Sequence, residues 1–194
     1  QGRWIALPVG APGACMVYRT SWVREAGWET FPTDTDGFLQ LCKRLKQMGR
    51  PTGFALGRAV GDGNVWVHWC LWAFGGKVVE ADNRTVAINR QETWNALEYA
   101  RELYSTMIEG VASWLDPHNN TAFLAGEISV TNNGISIYYA ARTDFPQIAD
   151  DIGHANMPVG PVGVPTELHL FSQAFIFRHT RFPNAAKAYL LHMF

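Results

Sequence analysis

Residues 62–76 read Asp62-Gly-Asn-Val-Trp-Val-His-Trp-Cys-Leu-Trp-Ala-Phe-Gly-Gly76. From Val65 to Phe74 nearly every residue is apolar, on all faces of a helix, and such a helix is buried. At about ten to twelve residues it is too short to cross a bilayer. Gly75-Gly76 ends it, and a Gly-rich turn at 57–63 leads into it.

Strand and helix patterns alternate on both sides of this helix. Upstream, Arg3–Leu7 and Cys15–Tyr18 predict short strands. Thr20 or Ser21 can cap a helix that runs to Ala26 and is closed by Gly27. Phe38, Leu41, Cys42, Leu45 and Met48 follow the three-and-four spacing of one buried helix face, and Gly49 stops that helix. Thr52–Leu56 predicts a short strand. Downstream, Lys77–Glu80 and Thr85–Ile88 flank a turn, and Gln91–Glu109 predicts the clearest helix. Thr121–Ala125 and Ile135–Arg142 predict shorter helices; Ile128–Thr131, Gly153–Met157 and Leu170–Phe177 predict strands. Pro183 starts a terminal helix through Phe194. Alternation without repeats predicts an α/β fold, a mostly parallel central sheet flanked by helices. Ligands bind such sheets at strand carboxyl ends and helix amino ends.

Composition bounds the function. The 194 residues are 47% hydrophobic and 17% charged, enough for one domain or slightly more. A net charge of −1 argues against a nucleic-acid partner. Eight Trp supply burial area and flat stacking faces. Cys15, Cys42 and Cys70 are too few and too scattered for a disulfide framework. No apolar run is long enough to span a membrane. No signal-peptide pattern is present, and Gly2–Leu7 already reads like the interior of a domain, so an excised or processed piece is expected.

The order of motifs resembles the extracellular solute-binding proteins of bacterial ABC importers, in the carbohydrate-type group that includes maltose-binding protein. Gly2–Gly10, GRWIALPVG, is similar to a G-k-x-y-x-l-P segment. Met16–Tyr18 with Trp22–Gly27 is similar to l-x-Y-N-k-d-l-f-x-x-a-G. Phe31–Met48 resembles a P-x-T-w-d-e-l loop and its helix, and Trp66–Gly76 a helix ending in Gly-Gly. Thr85–Tyr104, Phe123–Gly134, Met157–Gly163 and Ala174–Leu191 follow in the family's order. Arg19 stands where Asn is frequent, and Gly37-Phe38 replaces an acidic pair. The resemblance implies a periplasmic-binding-protein-like (type II) lobe, truncated, since such proteins run to about twice this length as two lobes around a cleft. On that basis residues 1–18 lead into the hinge, 19–169 form the second lobe, and 170–194 return through the hinge to a helix of the first lobe.

Candidate site residues cluster at helix starts and strand ends. Asp62 and Asn64 lie where a helix offers unpaired N–H groups, and both can accept sugar hydroxyls; simple N-capping is the rival role. Trp66, Trp69 and Trp72 share one helix face. Trp69 and Trp72 read as core, and Trp66, in the first turn, as the stacking candidate. Trp114 beside Asp116 suits stacking plus a charged acceptor, against a Trp that pins its loop. Asn133, Ser136 and Tyr138, with Tyr139 next in line, follow the strand Ile128–Thr131 into a helix start. The resemblance implies that the Asp62 helix start faces the solute cleft and that an aromatic sits in the stretch around Ser136 and Tyr138.

No phosphate loop, HExxH or GxSxG occurs, and His68-x-Cys70 would point apart on a helix. Neither a metal, a cofactor nor a catalytic residue is expected. The expected function is solute binding for an ABC permease, with a carbohydrate as solute, in the periplasm or outside the cell. One lobe alone is expected to bind weakly and, with hinge strands uncovered, to self-associate. A small α/β hydrolase or transferase with a Trp-rich pocket, or a stand-alone interaction module, are the rival readings.

Overall fold

A computed structural model describes residues 6–11 and 13–193. Their contacts divide into two compact units, one of residues up to Gly13 and from His169 on, the other Ala14–Leu168. The smaller unit holds β1 (Leu7–Gly10). The larger holds, in order, β2 (Cys15–Arg19), α1 (Thr20–Glu25), α2 (Thr35–Gln47), α3 (Asp62–Ala73), α4 (Gln91–Tyr104), α5 (Asp116–Leu124), β3 (Val130–Asn133), α6 (Ser136–Asp144), α7 (Pro146–Ala149) and β4 (Ile152–Ala155). The chain then returns to the smaller unit as β5 (Ser172–Ala174) and α8 (Pro183–Met193). β1 and β5 pair antiparallel, Leu7 opposite Ala174. The expected strand from Arg3 lies, up to residue 5, outside the described residues.

In the larger unit β2 lies between β3 and β4 and runs antiparallel to both. This corrects the expected mostly parallel sheet. β3 and β4 share a direction and are joined through α6 and α7, as a helical crossover requires. Thr52–Leu56 extends the sheet beyond β3. Ser129 N–H donates to the Pro51 carbonyl (2.9 Å) and Gly53 N–H to that of Val130 (3.0 Å), so the two segments advance together. On the other side Thr52 forms a parallel bridge to Met107. β2 is entered from the smaller unit without a helical crossover, so the direction rule does not bind it. The family resemblance assigns residues up to 18 to the approach to the hinge. In the structure Met16 and Val17 are fully buried in the middle of this sheet.

Successive residues of β2 face opposite sides of the sheet. Met16 and Val130 pack with α2, α3 and α4 around Phe38, Leu41, Leu45 and Leu103. Val17 packs with Phe123, Ile128, Ile137 and Ala141 on the other side. Trp69 is fully buried at the centre of the first layer. Its indole meets the rings of Phe38, Trp66 and Tyr99, and Nε1–H donates to the Pro158 carbonyl at 2.8 Å. α2 matches its pattern and starts at Asp34, whose carboxylate accepts from Gly37 N–H at 2.8 Å.

Element boundaries and burial differ from expectation at several points. α4 stops at Tyr104 rather than Glu109, because the Ser105 and Thr106 hydroxyls take the Glu102 and Leu103 carbonyls and turn the chain. α5 starts at Asp116, five residues early, with Pro117 in its first turn. α3 is not buried all round: Val67 is 51% exposed and Asn64 is open to solvent, so one edge lies at the surface.

Trp69→Ala should lower unfolding stability by about 3–5 kcal/mol in urea titrations, through the cavity and the lost Pro158 bond. Trp69→Phe keeps much of the volume and should cost clearly less; equal losses for the two would refute the packing account.

Candidate functional site

Three helix starts, those of α3, α5 and α6, converge on the carboxyl end of β3. The first N–H groups of α3 have no intrahelical partner, and its cap residue, Gly61, has no side chain to offer. Asp116 replaces it from α5. Its Oδ1 accepts from Asp62 N–H at 2.8 Å, and both its oxygens lie 3.2 Å from Gly61 N. A negative group there also complements the helix dipole.

Asp62 then faces the strand end. Its Oδ2 accepts from Asn119 Nδ2 (2.9 Å) and Asn133 Nδ2 (3.1 Å), and its carbonyl accepts from Asn132 Nδ2 (3.0 Å). Asn133 Nδ2 also donates to Asn120 Oδ1 (2.5 Å), and Ser136 Oγ donates to Asn133 Oδ1 (2.7 Å). Asn119 and Asn132 are fully buried, and the Oδ1 of each is shut off from solvent without a partner. Burial raises the pKa of Asp62, the Asn119 hydrogen bond lowers it and the charge of Asp116 raises it again, so the carboxyl is pushed up to about 6.

Four of the eight candidates, Asp62, Asp116, Asn133 and Ser136, are therefore parts of one hydrogen-bonded network. The other four are not joined to it. Asn64 is exposed, donates to the Val60 carbonyl at 2.8 Å, and lines a separate hollow of about 280 Å³ with Leu56, Arg58 and Val67. Trp66 is only 6% exposed and packs on Phe54 and Trp69, a core position rather than the stacking face expected of it. Trp114 is half-buried and stacks on His118, and its backbone carbonyl accepts from Gly57 N–H at 2.9 Å. A β-carbon at Gly57 would meet that carbonyl oxygen at 2.5 Å, so the two loops close on each other only with glycine here. Tyr138 packs edge-on against His154 of β4, with Arg142 over its ring.

Asn119, Asn120 and Asn132 complete the network and were not among the candidates. With the helix expected only from Thr121, residues 116–120 fall outside it, which hides the one available signal. Once α5 is extended to Asp116, Asn119 falls three and four positions before the buried Ala122 and Phe123, a polar residue on an apolar face. Among the described residues no group of three or more His, Cys, Asp or Glu is arranged to hold a metal ion.

The family model described as bacterial extracellular solute-binding protein matches residues 1–194. A Deinococcus radiodurans protein named a probable ABC transporter-binding protein is 22% identical over 172 residues, covering 84% of this chain and 41% of that one. Among solved structures, maltose-bound MalE3 of T. maritima has a TM-score of 0.81 at 22% identity, covering 97% of this chain and 49% of that one. A solute-binding protein of an ABC transporter from Agrobacterium vitis S4, with bound D-mannitol, has a TM-score of 0.82 at 16% identity, covering 97% and 46%. At these identities the structural likeness speaks for the fold, a periplasmic-binding-protein-like α/β lobe. The chain spans about half the length of the solved structures it matches and less than half that of the relatives. With all 194 of its residues matched by the family model, the chain belongs to the bacterial extracellular solute-binding proteins.

Proposed function

We propose that this chain is the solute-binding lobe of an ABC import system. It takes a small polar solute, a carbohydrate, on the network that joins Asp62, Asp116, Asn133 and Ser136. The observation that carries this reading is the state of Asp62. The hydrogen bonds that described residues give its carboxylate all fall on Oδ2. A carboxylate oxygen that takes no hydrogen bond from the described residues, with the exposed Ser136 hydroxyl beside the same Asn133, suits a ligand rich in hydroxyl groups. The maltose and D-mannitol held by the two structural neighbours are of that chemistry. A near-neutral chain fits an uncharged solute. We read the protein as a binder and not an enzyme, working in the periplasm or outside the cell and docking, in the intact system, on a permease.

In this reading Ala14–Leu168 is the second lobe, and the smaller unit supplies hinge strands and the helix of another lobe. Phe171, Phe175, Phe177, Phe182 and Leu191 are exposed there, and among the described residues β1 and β5 pair only with each other. Uncovered apolar side chains and open strand edges favour self-association. Light scattering should show mass rising with concentration; a monomer throughout would count against it.

Calorimetric titration with maltose, laminaribiose, D-mannitol and D-tagatose should give specific binding of at least one, weaker than micromolar. Ser136→Ala and Asp62→Asn should each weaken it by about ten-fold or more, as expected for lost hydrogen bonds, some to a charged group. No binding by any of the four, or turnover of one, would overturn the reading.

Asp62 also makes stability depend on pH. A free Asp titrates near about 3.9, and the folded chain holds this proton up to about 6. The stability it contributes is therefore complete below about pH 4 and is lost as pH rises through about 6. Relative to Asp62→Asn, the unmodified chain should lose thermal stability between these limits and keep a constant difference above them. A difference that does not change with pH would refute the burial of this carboxyl.

A further inference from the structure

Asn119 is a fully enclosed member of the network. It has no exposed surface, and its Nδ2 lies 2.9 Å from Asp62 Oδ2, 3.1 Å from the Asn132 carbonyl and 3.2 Å from Thr131 Oγ1. Turning the amide over would set an oxygen against a carboxylate and a carbonyl, so the nitrogen must face them. The cost of that orientation is visible on the other side, where Asn119 Oδ1 is buried without a donor. Leaving an acceptor unpaired is unfavourable, and what the orientation secures is a fixed donor beneath Asp62.

The second donor to Asp62, Asn133 Nδ2, is of another kind. It is shared with Asn120 Oδ1, and its own oxygen is held by Ser136, which is exposed. A solute that engages Ser136 would draw on Asn133. Asn119 lies out of any solute's reach, so its hold on Asp62 persists whether the site is empty or filled.

We propose that Asn119 is a positioning residue of the solute site, which holds the Asp62 carboxylate through Oδ2, keeps it ionised at neutral pH and leaves Oδ1 to accept a solute hydroxyl. This rests on the reading of Asp62 as a solute contact. No cation assists it, for among the described residues no Lys, Arg or His forms an ion pair with Asp62. Of the ionisable groups on α5 and α3, Asp116 lies against Asp62, while the His118 ring is engaged by the Leu115 backbone and the His68 ring by the Asn64 carbonyl. From β2 comes Cys15, whose thiol donates to the Asn133 carbonyl and lies near Glu167. β3 carries none, and the first turn of α6 carries Tyr138, packed edge-on against His154, and the exposed Tyr139. Asp116 opposes ionisation of Asp62, which leaves neutral amide donors to favour it.

The test is a pH titration of the full 194-residue chain, followed by NMR at the carboxyl carbons and side-chain amides. In the unmodified chain the Asn119 amide protons should shift with the same midpoint as the Asp62 carboxyl. In Asn119→Ser, whose hydroxyl is too short to reach Asp62, that midpoint should rise by about one pH unit. Maltose or D-mannitol affinity, falling below the midpoint, should move with it. A purely structural Asn119 would lower stability and leave the midpoint in place. An unmoved midpoint in the variant, or an Asn119 amide indifferent to Asp62 in the unmodified chain, overturns the proposal, and the second readout decides even if the variant does not fold. Coupled titration with no maltose or D-mannitol binding at any pH would sink the solute reading alone, since the hold of Asn119 on Asp62 is measured without a solute.

Discussion

The head of α3 leaves N–H groups that its own cap residue cannot satisfy, because Gly61 has no side chain. Asp116 reaches across from α5 to supply the acceptor, and much of the larger unit is arranged around that contact. It brings a second carboxylate close to Asp62, and among the described residues no Lys, Arg or His forms an ion pair with Asp62. Two acids can share such a place only if other groups donate to them. Asn119 and Asn133 do so to Asp62 Oδ2, and Asn132 does so to its carbonyl. Those donors come from α5 and from the end of β3, and Ser136 ties the start of α6 to the same group. One unsatisfied helix start thus fixes where three helices and a strand meet.

Packing sets the frame on which this polar group sits. Met16 and Val17 carry the two faces of the sheet into separate apolar layers, and Trp69, Phe38 and Tyr99 fill the space between α2, α3 and α4. Asp62 belongs to the same helix as Trp69, two turns earlier. The carboxylate bonds to Asn119 and Asn133 hold α3 at its start, and the indole bond to Pro158 holds it two turns on. Buried amide networks of this kind, where fully engaged, rigidify the unit that holds them.

Much of this was legible in the chain. The spacing of Phe38, Leu41, Cys42 and Leu45 gave α2, and those four residues are fully buried. The pattern sets its candidates at helix starts and strand ends, and Asp62, Asp116, Asn133 and Ser136 are hydrogen-bonded to one another there. What pattern could not supply was competition between distant groups. α4 ends early because Ser105 and Thr106 capture its carbonyls. α5 begins early because Asp116 and Pro117 suit a first turn. Trp66 looked available from its place in the first turn, yet Phe54 and Trp69 enclose it.

By itself the amino-acid order determined the family, the α/β alternation and the kinds of side chain at the rim, because these follow from local periodicity and from motif succession. Only the tertiary structure decided the direction of β2, which depends on the route of the chain rather than on the strand's own residues. It also decided the role of Asn119. A single Asn in a short helix carries no signal of its own; it becomes a donor to Asp62 because folding brings together residues 57 positions apart and removes water from between them. Hydrogen bonding to a buried carboxylate is a property of that enclosure, and no local pattern encodes it.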